Sequence, residues 1–188
     1  MKRVNIFARS FRELRDPRAL VVTSILVGLY LAMDMLGLKI YITPETRISL
    51  GFLCIAAVGM LYGPSVGMMA GFLTDVLGFL FDRSGMGYFP GYTLTAVLGG
   101  LFYGLFLYKG KPTRLRVLGA KACINLFCNI GLNTVWTSLL YGSAIRVILP
   151  ARIFKNIVLL PIEVILIYLV ANIVLEQFHR VFKNSLRP

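Results

Sequence analysis

Two long stretches of the sequence, residues 48–74 and 122–145, contain no Asp, Glu, Lys or Arg. A helix needs about 20 apolar residues to cross the hydrocarbon core of a bilayer, so each stretch is long enough. Of the 188 residues, 57% are hydrophobic and only 15% are charged, whereas a soluble domain carries about a quarter of charged residues. The chain has too few other residues to bury such helices in a water-soluble core. We therefore expect an integral membrane protein.

Turn residues divide the apolar sequence into six predicted helices. Gly63-Pro64 separates two of them, because proline disrupts a helix interior and biases the preceding residue away from helix. Further glycines and prolines, including Gly142 and Pro150, mark the later loops. The predicted fold is an all-α membrane protein, a bundle of six transmembrane helices at residues 19–37, 49–62, 65–81, 92–108, 115–141 and 150–176. All 188 residues then form a single membrane domain, with a basic segment 1–18, a bundle 19–176 and a basic tail 177–188.

The net charge of +12 is distributed unevenly among the predicted loops. If both termini lie on one side, that side carries 13 basic residues, which are Lys2, Arg3, Arg9, Arg12, Arg15, Arg18, Lys109, Lys111, Arg114, Arg116, Arg180, Lys183 and Arg187. The other side carries six, which are Lys39, Arg47, Arg83, Arg146, Arg152 and Lys155. Lys and Arg concentrate in cytoplasmic loops, so both termini are predicted to be cytoplasmic. A nucleic-acid-binding protein would instead gather these residues on one face of a folded domain, so no nucleic acid partner is predicted.

The N-terminal segment has an amphipathic pattern. Phe7, Phe11 and Leu14 share one helical face among arginines, which is typical of a helix lying on the inner leaflet. A solvated basic tail is the alternative.

One predicted helix carries polar residues four positions apart, namely Lys121, Asn125, Asn129, Asn133 and Thr137. They share one helix face, which must contact protein or water because hydrocarbon does not satisfy polar groups. Two roles are open, hydrogen bonding to a neighbouring helix and contact with a ligand.

A second set of polar and aromatic residues is expected in the outer third of the membrane. Depths estimated at about 1.5 Å per residue bring these side chains to one level or to the mouth above it. The carboxylates of Asp34 and Asp75 can accept from ring amino groups, the aromatics can stack on a ring, and the cations can hold a carboxylate, so a flat, partly anionic molecule would fit. The candidate binding residues are Arg47, Asp75, Tyr88, Phe89, Tyr92, Asn133, Trp136, Arg152, Lys155 and Asn156. The deeper Glu163 is expected to pair with Lys121 or Asn125.

No catalytic residue, metal site or cofactor is predicted. Residues 63–67 fit the GxSxG pattern of a hydrolase, but that motif requires a histidine base. The only histidine, His179, lies at the far end of the last predicted helix, so Ser65 is interpreted as a helix start. The chain is accordingly not expected to be an enzyme.

Five sequence runs, taken in order, resemble the substrate-binding S components of energy-coupling factor (ECF) vitamin transporters, in particular the folate-specific group. The runs are RISLGF at 47–52, GMMAGFLTD at 67–75, YFPGYTLTA at 88–96, LNTVW at 132–136 and RIFKNIVLLP at 152–161. The resemblance implies a six-helix protein in a prokaryotic plasma membrane that captures folate at its outer face. It also implies partners, a transmembrane coupling subunit and two ATPase subunits, and no cofactor.

In that family a stripe of small residues on the first helix meets the coupling subunit. The corresponding residues of this chain are Ser24, Gly28 and Ala32. Three other functions are weighed against this one. An S component could recognise another ring-bearing metabolite, an ion-coupled transporter could act alone with Asp34, Asp75 and Glu163 as a proton relay, and an intramembrane hydrolase could use Ser65.

Overall fold

The structure of the chain, a computed structural model, describes residues 5–37, 39–43, 46–81, 87–110, 112–142 and 144–184, without the side chains of 39–48, 141 and 177–184. The helices within these ranges are α1 (Ile6–Glu13), α2 (Pro17–Met35), α3 (Phe52–Tyr62), α4 (Pro64–Phe81), α5 (Pro90–Leu107), α6 (Arg114–Cys123), α7 (Asn133–Tyr141) and α8 (Ile145–Asn184). A π-helical segment, Ile124–Leu132, joins α6 to α7 without a break. Two strands, β1 (Lys39–Thr43) and β2 (Thr46–Ser49), lie between α2 and α3.

Helices α2 to α5 alternate in direction along the chain. The short helix α1 contacts the end of α3 and the start of α4 through Ser10, and the end of α5 through Glu13. Therefore α3 and α5 run towards α1, and α4 runs away from it. Only three residues separate α1 from α2, so α2 also starts at this end of the bundle.

Five helical stretches are long and apolar enough to cross a membrane, which confirms a multi-pass helical membrane protein. They are Pro17–Met35, Pro64–Phe81, Pro90–Leu107, Arg114–Leu140 and Ile145–Glu176. The second predicted helix, 49–62, is shorter than expected because it begins only at Phe52. Its 11 residues rise about 16 Å, roughly half the thickness of a bilayer core. Six crossings and cytoplasmic termini stay predictions.

A β-hairpin adds to the predicted all-α bundle. Strands β1 and β2 are antiparallel, with Lys39 opposite Ser49 and Ile40 opposite Ile48. From its position between the first two predicted helices, this segment was expected to form an outer loop that folds over the helix ends as a lid, or an ordinary exposed loop. Its alternating β-branched and polar residues suit a strand, but the apolar runs on either side dominate the sequence pattern.

The last helix corrects one predicted boundary. Pro150 was expected to mark the start of a helix at 150–176, but α8 begins five residues earlier, at Ile145, and contains both Pro150 and Pro161. Prolines are tolerated in membrane helices because neighbouring helices and local adjustments satisfy the backbone groups they free. Arg146, expected in the loop, therefore lies in the first turn of α8.

Small residues bring three helix backbones together, as their four-residue spacing indicates. A Cβ at Gly67 of α4 would lie 2.6 Å from the carbonyl oxygen of Gly100 on α5. A Cβ at Gly59 of α3 would lie 2.9 Å from the backbone nitrogen of Gly104, also on α5. No side chain fits at these positions, so glycine permits the close packing on which helix association in lipid depends.

Ser10 of α1 caps helix α4 from a distant part of the chain. Its hydroxyl accepts hydrogen bonds from the backbone N–H groups of Ser65 and Val66, at 3.0 and 3.3 Å, and donates to the carbonyl of Tyr62 at 2.7 Å. The residue before α4 is Gly63, whose lack of a side chain leaves the first turn without a local cap. Ser65 is thus at the start of a helix, as predicted, and its own hydroxyl donates to the carbonyl of Phe7.

A buried ion pair links α6 to α8. Lys121 Nζ lies 3.1 Å from Glu163 Oε1, and the two side chains are only 4% and 10% exposed. The pairing predicted for Glu163 is confirmed with Lys121 as the partner. The Lys121 ammonium also lies 4.7 Å from the ring centroid of Phe52.

Removing one member of this pair is expected to destabilise the bundle strongly. In Lys121→Met the Glu163 carboxylate stays buried without its countercharge, which costs about 3–5 kcal/mol of unfolding free energy. Thermal unfolding in detergent measures the loss. The control Lys109→Met breaks a more exposed pair with Glu13 and should cost at most about 1 kcal/mol. Equal stability of both variants would contradict a structural role for the buried pair.

Candidate functional site

A cavity of about 420 Å³ opens at the end of the bundle opposite α1. It lies between the last turns of α2, the second half of α4, residues 87–92 and the end of α7. Such a volume is within the range of small-molecule pockets. Its lining residues are Tyr30, Asp34, Thr74, Asp75, Gly78, Phe79, Gly87, Tyr88, Phe89, Tyr92 and Leu140.

The polar part of this cavity is organised around Asp75. Its Oδ2 accepts a hydrogen bond of 2.6 Å from the hydroxyl of Thr93. The Thr93 oxygen is also 2.5 Å from the hydroxyl of Tyr88. Because Thr93 has one hydroxyl proton and uses it on Asp75, Tyr88 must donate to Thr93. This chain of hydrogen bonds fixes the carboxylate and the Tyr88 ring against each other in the cavity wall.

Aromatic rings form the rest of the wall. The Phe79 and Tyr88 ring centroids are 5.3 Å apart, and those of Phe89 and Tyr92 are 5.8 Å apart in an edge-to-face arrangement. These are favourable geometries for aromatic pairs, so the rings hold one another in place. The cavity therefore offers a flat molecule preformed aromatic surfaces beside an anionic acceptor.

Trp136 supports this aromatic wall from behind. Its ring packs edge-on against Phe89 at a centroid distance of 5.5 Å, and its Nε1 donates to Thr95 at 3.1 Å. A Cβ at Gly91 would lie 2.8 Å from the Trp136 ring, so only glycine leaves room for it. Trp136 does not line the larger cavity, but it contacts a residue that does.

A second cavity, of about 240 Å³, continues into the bundle from the first. The two share Tyr30 and Thr74 as lining residues. The inner cavity reaches three polar side chains of the helices behind it, which are Thr95, Lys121 and Asn129. We call the two adjoining cavities together the crevice; its inner part reaches Lys121 of the buried ion pair.

The polar residues predicted to share one helix face, Lys121, Asn125, Asn129, Asn133 and Thr137, are called the polar stripe. The polar stripe connects this crevice to α8. Asn129 Nδ2 donates to Asn125 Oδ1 at 2.9 Å and to Asn156 Oδ1 at 3.2 Å. Arg152 donates to the carbonyl of Asn129 at 3.3 Å and to the hydroxyl of Thr137 at 2.5 Å. The stripe thus makes hydrogen bonds between helices. Asn129 also lines the inner cavity, so the same stripe reaches the place where a ligand would lie.

The π-helical segment contributes to the contact between the polar stripe and α8. Its hydrogen bonds run between residues five apart instead of four, and such turns are frequent at functional sites. Asn125 and Asn129 lie within the segment, and the Asn129 carbonyl accepts from Arg152. The sequence shows no local signal for this segment, which has no proline and one glycine, Gly131.

The ten predicted binding residues fall into separate groups instead of around one cavity. Asp75, Tyr88, Phe89 and Tyr92 line the larger cavity. Trp136, Arg152 and Asn156 each contact a residue that lines one of the two cavities. The remaining three do not contact the described cavities or are not described, and they are Asn133, Lys155 and Arg47.

Asn133 and Lys155 have other surroundings. The Asn133 carbonyl accepts from the hydroxyl of Thr137, and its Oδ1 is buried without a partner among the described residues. Lys155 is partly buried on α8. Arg47 lies on β2, and its side chain is outside the described part of the structure.

Asp34, expected as the second carboxylate of the pocket, lines the larger cavity, and so does Tyr30 one turn before it on α2. Tyr30, Thr93 and Thr95 were not among the predicted residues. Thr93 and Thr95 lie in the run YTLTA, two positions apart, and hold Asp75 and Trp136. The polar spacing of Tyr30 and Asp34 could have indicated a shared helix face, but the roles of the threonines depend on contacts between helices.

The three predicted docking residues lie on the outside of the bundle. Ser24, Gly28 and Ala32 are exposed along one face of α2, and nothing lies within 4 Å of a Cβ built at Gly28. On the opposite face of α2, Ala19 is buried against the core of the bundle.

Comparisons with known proteins agree on one family. The family model of the substrate-specific component of ECF transporters matches residues 18–171. The chain is 40% identical over 126 residues to a folate transporter, FolT, of Clostridium novyi, covering 67% of this chain and 73% of that protein. It is 29% identical to FolT of Leuconostoc mesenteroides, with 84% and 86% of the two chains covered.

A solved structure supports the same relationship. The fold is similar to the crystal structure of FolT bound with folic acid, with a TM-score of 0.73 and 31% sequence identity. The match covers 84% of this chain and 94% of the other. The family consists of transport components and not of enzymes, and the chain belongs to it: this is a substrate-specific component of an ECF transporter.

Proposed function

We propose that this protein captures folate at the outer face of a prokaryotic plasma membrane for import. The observation that carries the proposal is the cavity in which Asp75 lies beside the rings of Tyr88, Phe89 and Tyr92. The relatives named as folate transporters, and the similar structure with folic acid bound, support this ligand among the vitamins.

The chemistry of the cavity matches the two ends of a folate. The amino-substituted pterin ring can stack on the aromatic wall and donate hydrogen bonds to the carboxylate of Asp75. The glutamate end carries carboxylates, which require cations. Arg152 has five N–H donors, and the hydrogen bonds to Asn129 and Thr137 use two of them, so others can bind a ligand carboxylate. We assign Arg47, Lys155, Asn133 and Asn156 to the same binding role on sequence grounds.

Because the chain belongs to the ECF family, we infer that transport requires partner subunits. We propose that the exposed stripe of Ser24, Gly28 and Ala32 docks onto a transmembrane coupling subunit that works with two ATPases. Small side chains allow a partner helix to approach closely in lipid. We also propose six crossings with both termini in the cytoplasm, which agrees with the alternating helix directions and with α3 as the short crossing.

A stand-alone ion-coupled transporter has less support. The relay suggested for it needs Asp34, Asp75 and Glu163 to exchange protons. Glu163 is committed to a buried ion pair with Lys121, and Asp75 accepts a hydrogen bond from Thr93. A binding component does not need these groups to change protonation.

Folate binding is expected without ATP or partner subunits. Titration of the purified protein should change the fluorescence of Trp136, the only tryptophan, because it packs against the cavity wall. Asp75→Asn removes the charge but keeps the shape, and it should weaken binding about tenfold or more, since hydrogen bonds to a charged group contribute about 1.5–3 kcal/mol. The control Glu176→Gln, at an exposed position on α8, should bind as the parent does. An unchanged affinity in Asp75→Asn would remove the carboxylate from the site.

Arg152 is expected to recognise the carboxylates of the ligand. Arg152→Gln should weaken folate binding by about tenfold or more, but should hardly affect 6-hydroxymethylpterin, which carries no carboxylate. Arg152→Gln also removes the hydrogen bonds to Asn129 and Thr137, and this structural loss would weaken the binding of both ligands. A loss confined to folate therefore indicates contact between Arg152 and the ligand carboxylates. Equal losses for both ligands would assign Arg152 to structure alone.

The α2 stripe is expected to serve uptake and not binding. Gly28→Leu places a bulky side chain on the exposed face, so folate affinity should stay unchanged while uptake by cells that express the coupling subunits falls to background. The matched control Ala122→Leu adds similar bulk at an exposed position of α6 and should transport normally. Normal uptake in Gly28→Leu would place the docking surface elsewhere.

A further inference from the structure

A groove of about 490 Å³ runs along α1, at the end of the bundle opposite the larger cavity. Its lining residues are Phe7, Ala8, Phe11, Arg12, Arg15 and Ser65. We propose that this groove binds an anionic phospholipid of the membrane, with the phosphate headgroup at Arg12 and Arg15 and the upper acyl chain against Phe7 and Phe11.

The groove lies where lipid headgroups lie. Helix α4 is long and apolar enough to cross the membrane and begins at Pro64. The next residue, Ser65, lines the groove and donates a hydrogen bond to the carbonyl of Phe7. Because α1 sits beside the first turn of a membrane-spanning helix, its side chains are at the boundary between hydrocarbon and headgroups.

The apolar side chains of the groove are unusually open for a helix docked on a bundle. Phe7 and Phe11 are 40% and 60% exposed, and they follow each other one turn apart. Exposed aromatic rings beside arginines at a membrane boundary are favourable when acyl chains cover the rings.

Charge on α1 selects an anionic lipid over a neutral one. Arg9, Arg12 and Arg15 are all exposed. Glu13, the only acid of this helix, turns inward, where it accepts a hydrogen bond of 2.9 Å from the hydroxyl of Tyr108 and lies 3.8 Å from Lys109. Arg15 and the exposed acid Asp16 follow the helix, and the Asp16 carboxylate accepts a hydrogen bond from the backbone N–H of Arg18. The outward side of this segment therefore carries three arginines against one acid, and each arginine near an anionic membrane surface contributes about fivefold to binding.

The helix is held in a fixed orientation, so the groove is preformed. Ser10 is fully buried and caps α4, while burial and the hydrogen bond to Glu13 raise the pKa of Tyr108 well above its ordinary value and keep it a donor. A loosely attached helix would lose conformational freedom each time a lipid bound, and this loss of entropy would oppose binding. Helix α1 is already ordered, so lipid binding does not carry that cost.

Quenching by brominated lipids tests the proposal. In a Trp136→Phe background, Phe11→Trp puts the single fluorophore in the groove. In vesicles with equal mole fractions, brominated phosphatidylglycerol should quench it several-fold more effectively than brominated phosphatidylcholine. Arg12→Gln/Arg15→Gln should reduce the ratio to near one, and Arg12→Lys/Arg15→Lys should keep most of it.

The matched control removes two charges elsewhere at the same end of the bundle. Arg114 and Arg116 are exposed on the first turn of α6, and Arg114→Gln/Arg116→Gln should leave the quenching ratio unchanged. Equal quenching by both lipids in the parent would overturn the proposal. An equal loss in the control would do the same, because it would show attraction to net charge only. Trp emission and thermal unfolding confirm that each variant is folded.

Discussion

A bilayer core offers no hydrogen-bond partners, and the polar interior of this bundle is arranged by that constraint. Lys121 lies deep in a helix that crosses the membrane. Its positive charge can be buried there because the carboxylate of Glu163 on another helix lies 3.1 Å away. The asparagines of the same helix meet Asn156 on α8 for the same reason. Polar side chains that would be costly alone therefore become the contacts that hold α8 against the rest of the bundle.

The same polar residues join neighbouring helices and also reach the cavity in which a ligand would lie. The network between the π-helical segment and α8 ends at Asn129, whose side chain also lines the inner cavity. On the other side of the crevice, Thr93 and Thr95 of α5 hold Asp75 and Trp136. A ligand that enters the crevice thus meets groups already fixed by neighbouring helices. This preorganisation lowers the entropy cost of binding.

The two ends of the bundle have different chemistry, and the glycine contacts keep them in register. Close packing of α4 on α5 at Gly67 and Gly100 leaves no room for sliding between the two helices. At one end these helices carry Asp75 and Tyr92 in the cavity wall. At the other end α4 receives its cap from Ser10, so the basic helix α1 is fixed to the same rigid pair.

Composition and spacing alone determined that the chain crosses a membrane and that Glu163 pairs with a residue of the polar stripe. These features are local, because each follows from the periodicity of one helix and from the cost of polar groups in hydrocarbon. Tertiary structure decided the rest. Helix α8 begins five residues before Pro150, Ser10 caps a helix 55 positions away, and the described binding residues divide between a cavity wall and a network behind it. Such outcomes depend on which helices become neighbours, and no periodicity within one helix contains that information.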